Sequence, residues 1–234
     1  MFQPPLHESV ALLEQHSSGI IAVDKPSGIR SHPNRKHADE GALLQVPYDY
    51  DLECFSGEGQ RWYLCNRLDA PTSGVLVLVA DPGLAAVVKK CFQDRKVDKL
   101  YRALLRGRVR RPKETWRDRL RTRRTPQGLR TMVSSDGDPA VTEMVLDRYS
   151  ESAPYASHVA LRPKTGRTHQ LRVQAAERRT PIVGDATYGD FRFNRSWARS
   201  TGNKRLYLHS EHVAFEVEWQ GRRIQFSAEA PAPF

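Results

Sequence analysis

Long apolar runs are missing from this 234-residue chain. The longest, residues 75–80, is far shorter than the roughly 20 apolar residues that a membrane-crossing helix needs, so no membrane association is expected. The first 20 residues include His7, Glu8, Glu14 and His16 and offer no apolar core for a secretory signal. Cysteine is scarce. Three residues, Cys54, Cys65 and Cys91, with no Cys-x-x-Cys spacing, argue against a disulfide scaffold and for a reducing cytoplasm. No phosphate-binding loop and no Gly-x-Gly-x-x-Gly occurs, so neither nucleotide hydrolysis nor a dinucleotide cofactor has support. His209 and His212 stand three apart, but no cysteine or carboxylate pattern completes a zinc set, and no metal is expected. Repeats and low-complexity tracts are also lacking.

What the chain does have is positive charge, and it is concentrated. Lys plus Arg number 37 against 27 Asp plus Glu. Residues 102–130 alone hold twelve basic residues and two acids, Glu114 and Asp118, and supply the whole excess of +10. Eleven of the twelve are arginine, whose forked donors suit phosphate. The segment reads as a finger or loop gripping a nucleic-acid backbone through Arg117, Arg119, Arg121, Arg123 and Arg124, with Trp116 available to stack on a base. The plainer reading is a solvated charged hairpin. Charge alone does not separate DNA from RNA and says nothing about chemistry.

A coarse pass places the elements. Residues 1–17 read as a polar lead-in and 18–234 as one domain. Residues 19–23 read as a strand ended by the Asp24-Lys25-Pro26-Ser27-Gly28 turn. Residues 34–60 read as an irregular surface excursion. The run 75–80 lacks alternation and reads as a strand buried on both faces. Asp81-Pro82 signals a helix start, and Leu84, Val87, Val88, Cys91 and Phe92 give helical spacing over 82–94. Strands are expected at 100–105, 141–146, 158–161, 206–208, 213–217 and 223–226. A turn is expected at 125–128, and a short helix at 168–177. Many strands and few helices predict an α+β fold, a mixed and largely antiparallel central sheet flanked by helices and loops.

Three polar stretches stand out as chemistry. Residues 66–74 (NRLDAPTSG) form a polar loop feeding directly into the buried 75–80 strand, a rigid platform for a reactive group such as Asp69. Residues 99–103 (KLYRA) present Tyr101 from a strand. Residues 165–172 (TGRTHQLR) are dense in donors. Singly, each has a dull alternative: Asp69 as a turn former or partner of Arg67, Tyr101 as core, the Gly166 stretch as a capping turn.

Taken together and in order, these stretches resemble the RluA family of RNA pseudouridine synthases. Residues 20–33 (IIAVDKPSGIRSHP) resemble the family's opening strand and Lys-Pro-x-Gly turn. Residues 66–74 resemble its (H)RLDxxTSG hallmark, 99–107 (KLYRALLRG) its KxYxAxxxG strand and 140–146 (AVTEMVL) its A-x-T strand. Residues 166–172 (GRTHQLR) resemble GRTHQIR, 184–189 (GDATYG) GDxxYG, and 205–209 (RLYLH) RLxLH. The resemblance spans about residues 18–217 and has no room for the accessory S4 domain of many relatives. It implies cofactor-free isomerisation of uridine in structured RNA, rRNA or tRNA, by a cytoplasmic protein expected to be a monomer.

By the same resemblance, Asp69 is the catalytic nucleophile, attacking C1′ or the base. Arg172 is the cation that keeps it ionised against burial. Tyr101 stacks on the uracil and helps remove the C5 proton. Leu208 lines the apolar wall, Arg67 takes the space vacated by the flipped nucleotide or holds the flanking phosphate, and Arg167, His169 and Gln170 join the substrate-binding set. The chain departs from the pattern at Asn66 (His in the family), Ala70 (basic), Gln174 (His) and Ser210 (Ala), all around the substrate. The competing expectation is a non-catalytic RNA-binding chaperone or ribosome-assembly factor on the same fold. A DNA-binding regulator lacks any helix-turn-helix or zinc pattern.

Overall fold

The computed structural model describes residues 3–33, 41–57, 59–126 and 128–234. In chain order these form β1 (Ala11–Gln15), β2 (Ile20–Lys25), β3 (Tyr48–Asp49), β4 (Cys54–Gly57), β5 (Gln60–Leu64), β6 (Ser73–Val79), α1 (Pro82–Gln93), β7 (Val97–Arg106), β8 (Lys113–Thr125), β9 (Gly128–Val133), β10 (Asp138–Tyr149), β11 (Ala156–Pro163), α2 (Gln170–Glu177), α3 (Phe191–Thr201), β12 (Leu208–Trp219) and β13 (Arg222–Glu229). The arrangement is α+β and its strand pairing largely antiparallel, as the composition of the elements predicts. The chain divides into two compact units. One runs to Lys99 and takes in Ser210–Pro233; the other is Leu100–His209 with Phe234.

In the first unit β6 is central, and every residue of it is buried. Its unbroken Ser-Gly-Val-Leu-Val-Leu-Val run has apolar groups for both faces, which is what a strand covered on both sides requires. It pairs antiparallel with β2 along its length, from Ile20 opposite Val79 to Lys25 opposite Gly74. At its far end it pairs with β5, Tyr63 opposite Val79. Helix α1 covers one face with Leu84, Ala85, Val88 and Cys91. Asp81 starts it, its Oδ1 accepting from Leu84 N at 2.8 Å, and Pro82 occupies the first turn, where no donor is needed. Full burial of Leu84 and Val88 contributes about 1.5–3 kcal/mol each. The β12–β13 hairpin adds Phe215 and Phe226, paired with each other, and Phe215 meets Phe92 of α1 in the same core.

The second unit orders its strands β7-β11-β10-β8-β9. Val159, Leu161, Ala103, Leu105 and Met144 face one core, which Leu171 and Ala175 of α2 complete. Val173 of α2 packs with Leu120 and Ala140.

Several expectations are revised. Residues 11–15, inside the stretch read as a lead-in, are a strand paired with β2. Of the segment read as an irregular excursion, residues 34–40 and 58 lie outside the described residues. The rest forms β3, β4 and the start of β5, with Cys54 and Phe55 fully buried. Asp49 shapes the connecting turn, its Oδ1 accepting from the Asp51 and Leu52 amides, both at 2.9 Å. The basic finger is not a loop but the long β8–β9 hairpin, paired from Leu120 opposite Val133 to Thr125 opposite Gly128; Gln127 at its tip lies outside the described residues. Its period-two alternation puts Trp116 and Leu120 inward. Trp116 is therefore core, 1% exposed, not a free stacking surface. Its indole donates to Glu114 at 3.2 Å and the Arg178 guanidinium lies 5.1 Å above its ring. Helix α3 was not anticipated at all, because only Trp197 of its eleven residues is buried.

Candidate functional site

In the first unit the site is the loop between β5 and β6. The Thr72 amide donates to the Asp69 carbonyl at 2.9 Å, closing a turn that leaves Asp69 half-buried and Arg67 exposed. The turn is braced from the segment after β2. Lys25 is 0% exposed, and its ammonium donates to the carbonyls of Pro26 (2.9 Å), Ile29 (2.7 Å) and Ala70 (3.1 Å). Ser27 Oγ donates to Pro71 O at 2.8 Å. Ser31 Oγ both donates to Leu68 O and accepts from Leu68 N, at 2.8 and 3.0 Å. The residues on each side of Asp69 are therefore held by side chains more than thirty positions away in sequence.

Asn66 ties the front of the loop to β6 by accepting from Val77 N at 2.7 Å, a role a neutral amide fills without bringing a titratable group. At the far end Gly74 has φ +111, and a Cβ there would overlap the backbone of Ser210, so only glycine lets β12 come this close. Arg67 lines a shallow cavity of about 190 Å³ with Tyr48, Glu53 and Lys89. Lys89 donates to Glu53 at 2.9 Å and holds that carboxyl below its ordinary value against a desolvation cost. Burial, reinforced by the Glu53 charge, pushes the Tyr48 phenol up to about 12, so it stays a neutral donor.

In the second unit Tyr101 lies on β7 opposite Leu161 and packs, half-buried, on the cluster that contains Leu171 and Leu208. The structure thus brings Tyr101 and Leu208 into one apolar wall. Arg172, on the first turn of α2, is 5% exposed. Its Nε and Nη2 donate to Asp185 Oδ2 and Oδ1 at 2.8 and 2.9 Å, a parallel two-bond clamp. The Tyr188 ring lies 5.2 Å from its guanidinium carbon. Asp185 also accepts from the Thr187 and Tyr188 amides at 2.8 and 3.0 Å. Burial pushes the Asp185 carboxyl up, but the Arg172 clamp and the two amides outweigh it and hold the group below its ordinary value. Burying this pair is costly unless every lone pair is met, and here the set is well met.

The other predicted residues sit around that clamp. His169 adopts the left-handed conformation (φ 53) just before α2 and shares a 2.8 Å hydrogen bond between Nδ1 and Tyr188 Oη. Gln170 is buried and braced on all sides: its Oε1 accepts from Thr165 Oγ1 (2.7 Å) and Arg167 N (3.0 Å), and its Nε2 donates to Val141 O and Thr142 Oγ1. Arg167 reaches Asp138 (3.4 Å) and Pro139 O (3.3 Å). Gln174, at the position where histidine was expected, links Asp118 (2.7 Å) to Thr142 (2.7 Å) inside the unit. Arg117, Arg119, Arg121, Arg123 and Arg124 are all exposed on β8. Arg121 pairs with Asp136 in the turn after β9. Arg123 stands directly opposite Arg130, a like-charge pairing offset where Arg130 donates to Thr187 O at 3.1 Å and lies 5.6 Å from the Tyr188 ring centre.

Sequence reasoning did not assign the two groups that position the others, Lys25 and Asp185. Both lay within quoted motifs, Lys-Pro-x-Gly and Gly-Asp-x-x-Tyr-Gly. Their roles emerge only when distant backbone carbonyls, or the α2 guanidinium, arrive beside them.

Comparison with known proteins bears on what this arrangement does. Residues 19–177 match the family described as RNA pseudouridylate synthase. The chain is 32% identical over 239 residues to tRNA pseudouridine synthase C of Yersinia pestis, covering 92% of this chain and 90% of that one. It is 33% identical over 220 residues to ribosomal large subunit pseudouridine synthase D of Borreliella burgdorferi, covering 91% and 63%. Among solved structures, human RNA pseudouridylate synthase domain containing 1 superposes with a TM-score of 0.71 at 26% identity, over 100% of this chain and 87% of that one.

Proposed function

The chain belongs to the RNA pseudouridylate synthase family and is an RNA uridine isomerase, and from that premise we propose that Asp69 is its nucleophile and tRNA its substrate. The observation that carries the reading is the match over residues 19–177, which contains Arg67-Leu68-Asp69 on the loop that Lys25, Ser27 and Ser31 hold in place. The choice of tRNA rests on the similarity to tRNA pseudouridine synthase C over nearly the whole chain.

The reaction exchanges one glycosidic bond for another. The N1–C1′ bond of uridine breaks, the base turns, a C5–C1′ bond forms, C5 loses its proton and N1 gains one. Atoms and electrons balance without an oxidant or an energy source. Asp69 attacks as the carboxylate. Arg172 is the cation assigned to that carboxylate, and its remaining amino group, Nη1, is the one outside the Asp185 clamp. Asp185 fixes the plane of the guanidinium so that this group has a set direction. Tyr101 provides a flat apolar face for uracil and a hydroxyl for the C5 proton, and Leu208 extends that wall. A paired or stacked uridine is out of reach, so the nucleotide is flipped, with Arg67 taking its place. The exposed arginines of β8 then bear on the RNA backbone. We further propose that residues 18–234 act as one catalytic domain, as a monomer in the cytoplasm. Three buried cysteines outside any disulfide suit a reducing compartment.

The test is a carbodiimide primer-extension map of tRNA and rRNA with the wild-type gene, without it, and with Asp69→Asn. Loss of one or more pseudouridines in the deletion strain, restored by wild type and not by Asp69→Asn, is the expected result. Restoration by Asp69→Asn refutes the assignment of the nucleophile. A phenotype that survives Asp69→Asn but not charge reversal on β8 supports the non-catalytic binding role instead.

A further inference from the structure

A second concentration of positive charge lies outside the hairpin. Residues 191–205 contain Arg192, Arg195, Arg199, Lys204 and Arg205 and no acid. Asp190 caps α3 by accepting from Phe193 N at 2.9 Å, and Gly202 ends it at φ 72, so the helix is well built although almost none of it is buried. Three basic residues of this stretch differ from the paired arginines elsewhere in the molecule. Arg106, Arg121 and Arg223 have carboxylate partners. Among the described residues Arg195, Arg199 and Lys204 have none.

These three cations rim a cavity of about 510 Å³, a size that takes a small organic ligand. Its wall is aromatic. Tyr207 meets the Trp197 ring edge-on at 5.7 Å, and Phe191 stands at the mouth, 56% exposed. Trp197 is 9% exposed, and its indole Nε1, a donor with no acceptor capacity, is buried without a hydrogen-bond partner. The ligand so described has a flat apolar body for the aromatic wall and negative charge for the three cations.

We propose that this cavity binds an unstacked nucleotide of the substrate RNA away from the uridine being isomerised, the base against Phe191, Trp197 and Tyr207 and its flanking phosphates on Arg195, Arg199 and Lys204. The proposal rests on the reading of the protein as an RNA-modifying enzyme. An uncharged sugar leaves the three cations unused, and an apolar peptide desolvates them at a cost. The cavity is also joined to the catalytic side of its own unit. Asn194 of α3 accepts from Gly184 N at 2.9 Å and donates to Asp185 O at 3.0 Å, and Asp185 clamps Arg172. A Cβ at Gly184 would overlap the Arg205 carbonyl, so this floor has no slack. An RNA held here is registered against Arg172 through two hydrogen bonds and one residue.

The experiment compares wild type, Arg195→Glu/Arg199→Glu and Phe191→Ala, with Arg222→Glu on exposed β13 as a control for net charge. Filter binding to bulk unmodified tRNA is measured from 50 to 300 mM salt, beside kcat and KM on the same RNA. The double reversal is expected to raise Kd and KM about tenfold and to flatten the log–log salt slope by about 1.4, two single-strand contacts' worth. Phe191→Ala should raise KM severalfold with the salt slope unchanged, since it removes stacking and no charge. Equal Kd and equal salt slope in wild type and the double reversal overturn the proposal, and so does a change no larger than that of Arg222→Glu. Loss of a co-purifying acidic protein while RNA binding stands unchanged overturns it in favour of a protein partner. Binding is read without turnover, so a wild-type protein that forms no pseudouridine would refute the enzymatic reading and leave this one to be judged on Kd and salt slope.

Discussion

Replacing Lys25 with methionine tests whether the loop that carries Asp69 is held by the brace described above. The two side chains are similar in length, so little cavity is created and the change falls on hydrogen bonding. Three carbonyls lose a donor. Ala70 O keeps one, from Gly28 N at 2.8 Å. Pro26 O and Ile29 O are left unmet in a site where the side chain they faced is fully buried. At about 1–3 kcal/mol for each unmet acceptor, set against the removed cost of burying an ammonium, Lys25→Met should destabilise the protein by roughly 2–4 kcal/mol. For a chain of this size that is a fall in Tm of about 5–15 °C. Activity should fall further than stability requires. Lys25 joins residues 25–29 to Ala70, next to Asp69, and a misplacement of about 1 Å at a reacting group costs on the order of a hundredfold. Assayed well below the lowered Tm, kcat should drop ten- to a hundredfold while KM for tRNA stays within about threefold, because no RNA-facing charge is altered. Differential scanning calorimetry and single-turnover assays on the same preparation separate the two effects. A Tm within 2 °C of wild type together with unchanged kcat would refute the argument that this ammonium positions the loop.

Three further outcomes follow from the site. Asp185→Asn breaks a buried, two-bond ion pair from one side and should cost about 3–5 kcal/mol. Because the native Asp185 carboxyl titrates below its unfolded value near 3.8, the stability it contributes is fully present above that value and disappears as pH falls through the lower native one. Thermal melts from pH 2 to 6 should therefore lose part of their acid limb in Asp185→Asn, and an unchanged limb would show that another group sets it. Gly74→Ala places a Cβ into the Ser210 backbone at φ +111 and should yield little soluble protein; a well-folded Gly74→Ala with wild-type activity contradicts the close approach of β12. Glutamate at Arg117, Arg119 and Arg123 together should leave Tm within a few degrees, or raise it by relieving the Arg123–Arg130 repulsion, while weakening tRNA binding and flattening its salt slope by about two. Binding that does not move assigns the hairpin to solvation alone.

The parts of this molecule legible in its sequence are those where one short-range rule decides the outcome. Residues 75–80 could only be a doubly covered strand, and Asp81-Pro82 with five apolar residues at helical spacing could only open a helix; both stand as β6 and α1. The family was legible because seven short motifs fall in one order, which no composition reproduces by chance. What was not legible depended on a second segment. Trp116 looked available for stacking inside a run of arginines, but β8 alternates, and the tryptophan falls on the side that β10 and α2 cover, opposite Thr142. The signal was present as inward Trp116 and Leu120 set against outward Arg117, Arg119, Arg121 and Arg123, and charge density masked it. Helix α3 failed for the opposite reason: its apolar stripe rests on Phe193 and Trp197 alone among three arginines, although Asp190 and Gly202 mark both of its ends. The same bias explains why Lys25 and Asp185 were not assigned roles. Motif reading finds groups that face a substrate, whereas a buried lysine among carbonyls and a buried aspartate under a guanidinium act on other side chains and have no distinguishing neighbours in sequence. If Asp69 and Arg172 act as proposed, each is only as well placed as the residue behind it. On that argument, variants of Lys25 and Asp185 should lose kcat in proportion to the freedom they give Asp69 and Arg172, not to the stability they cost.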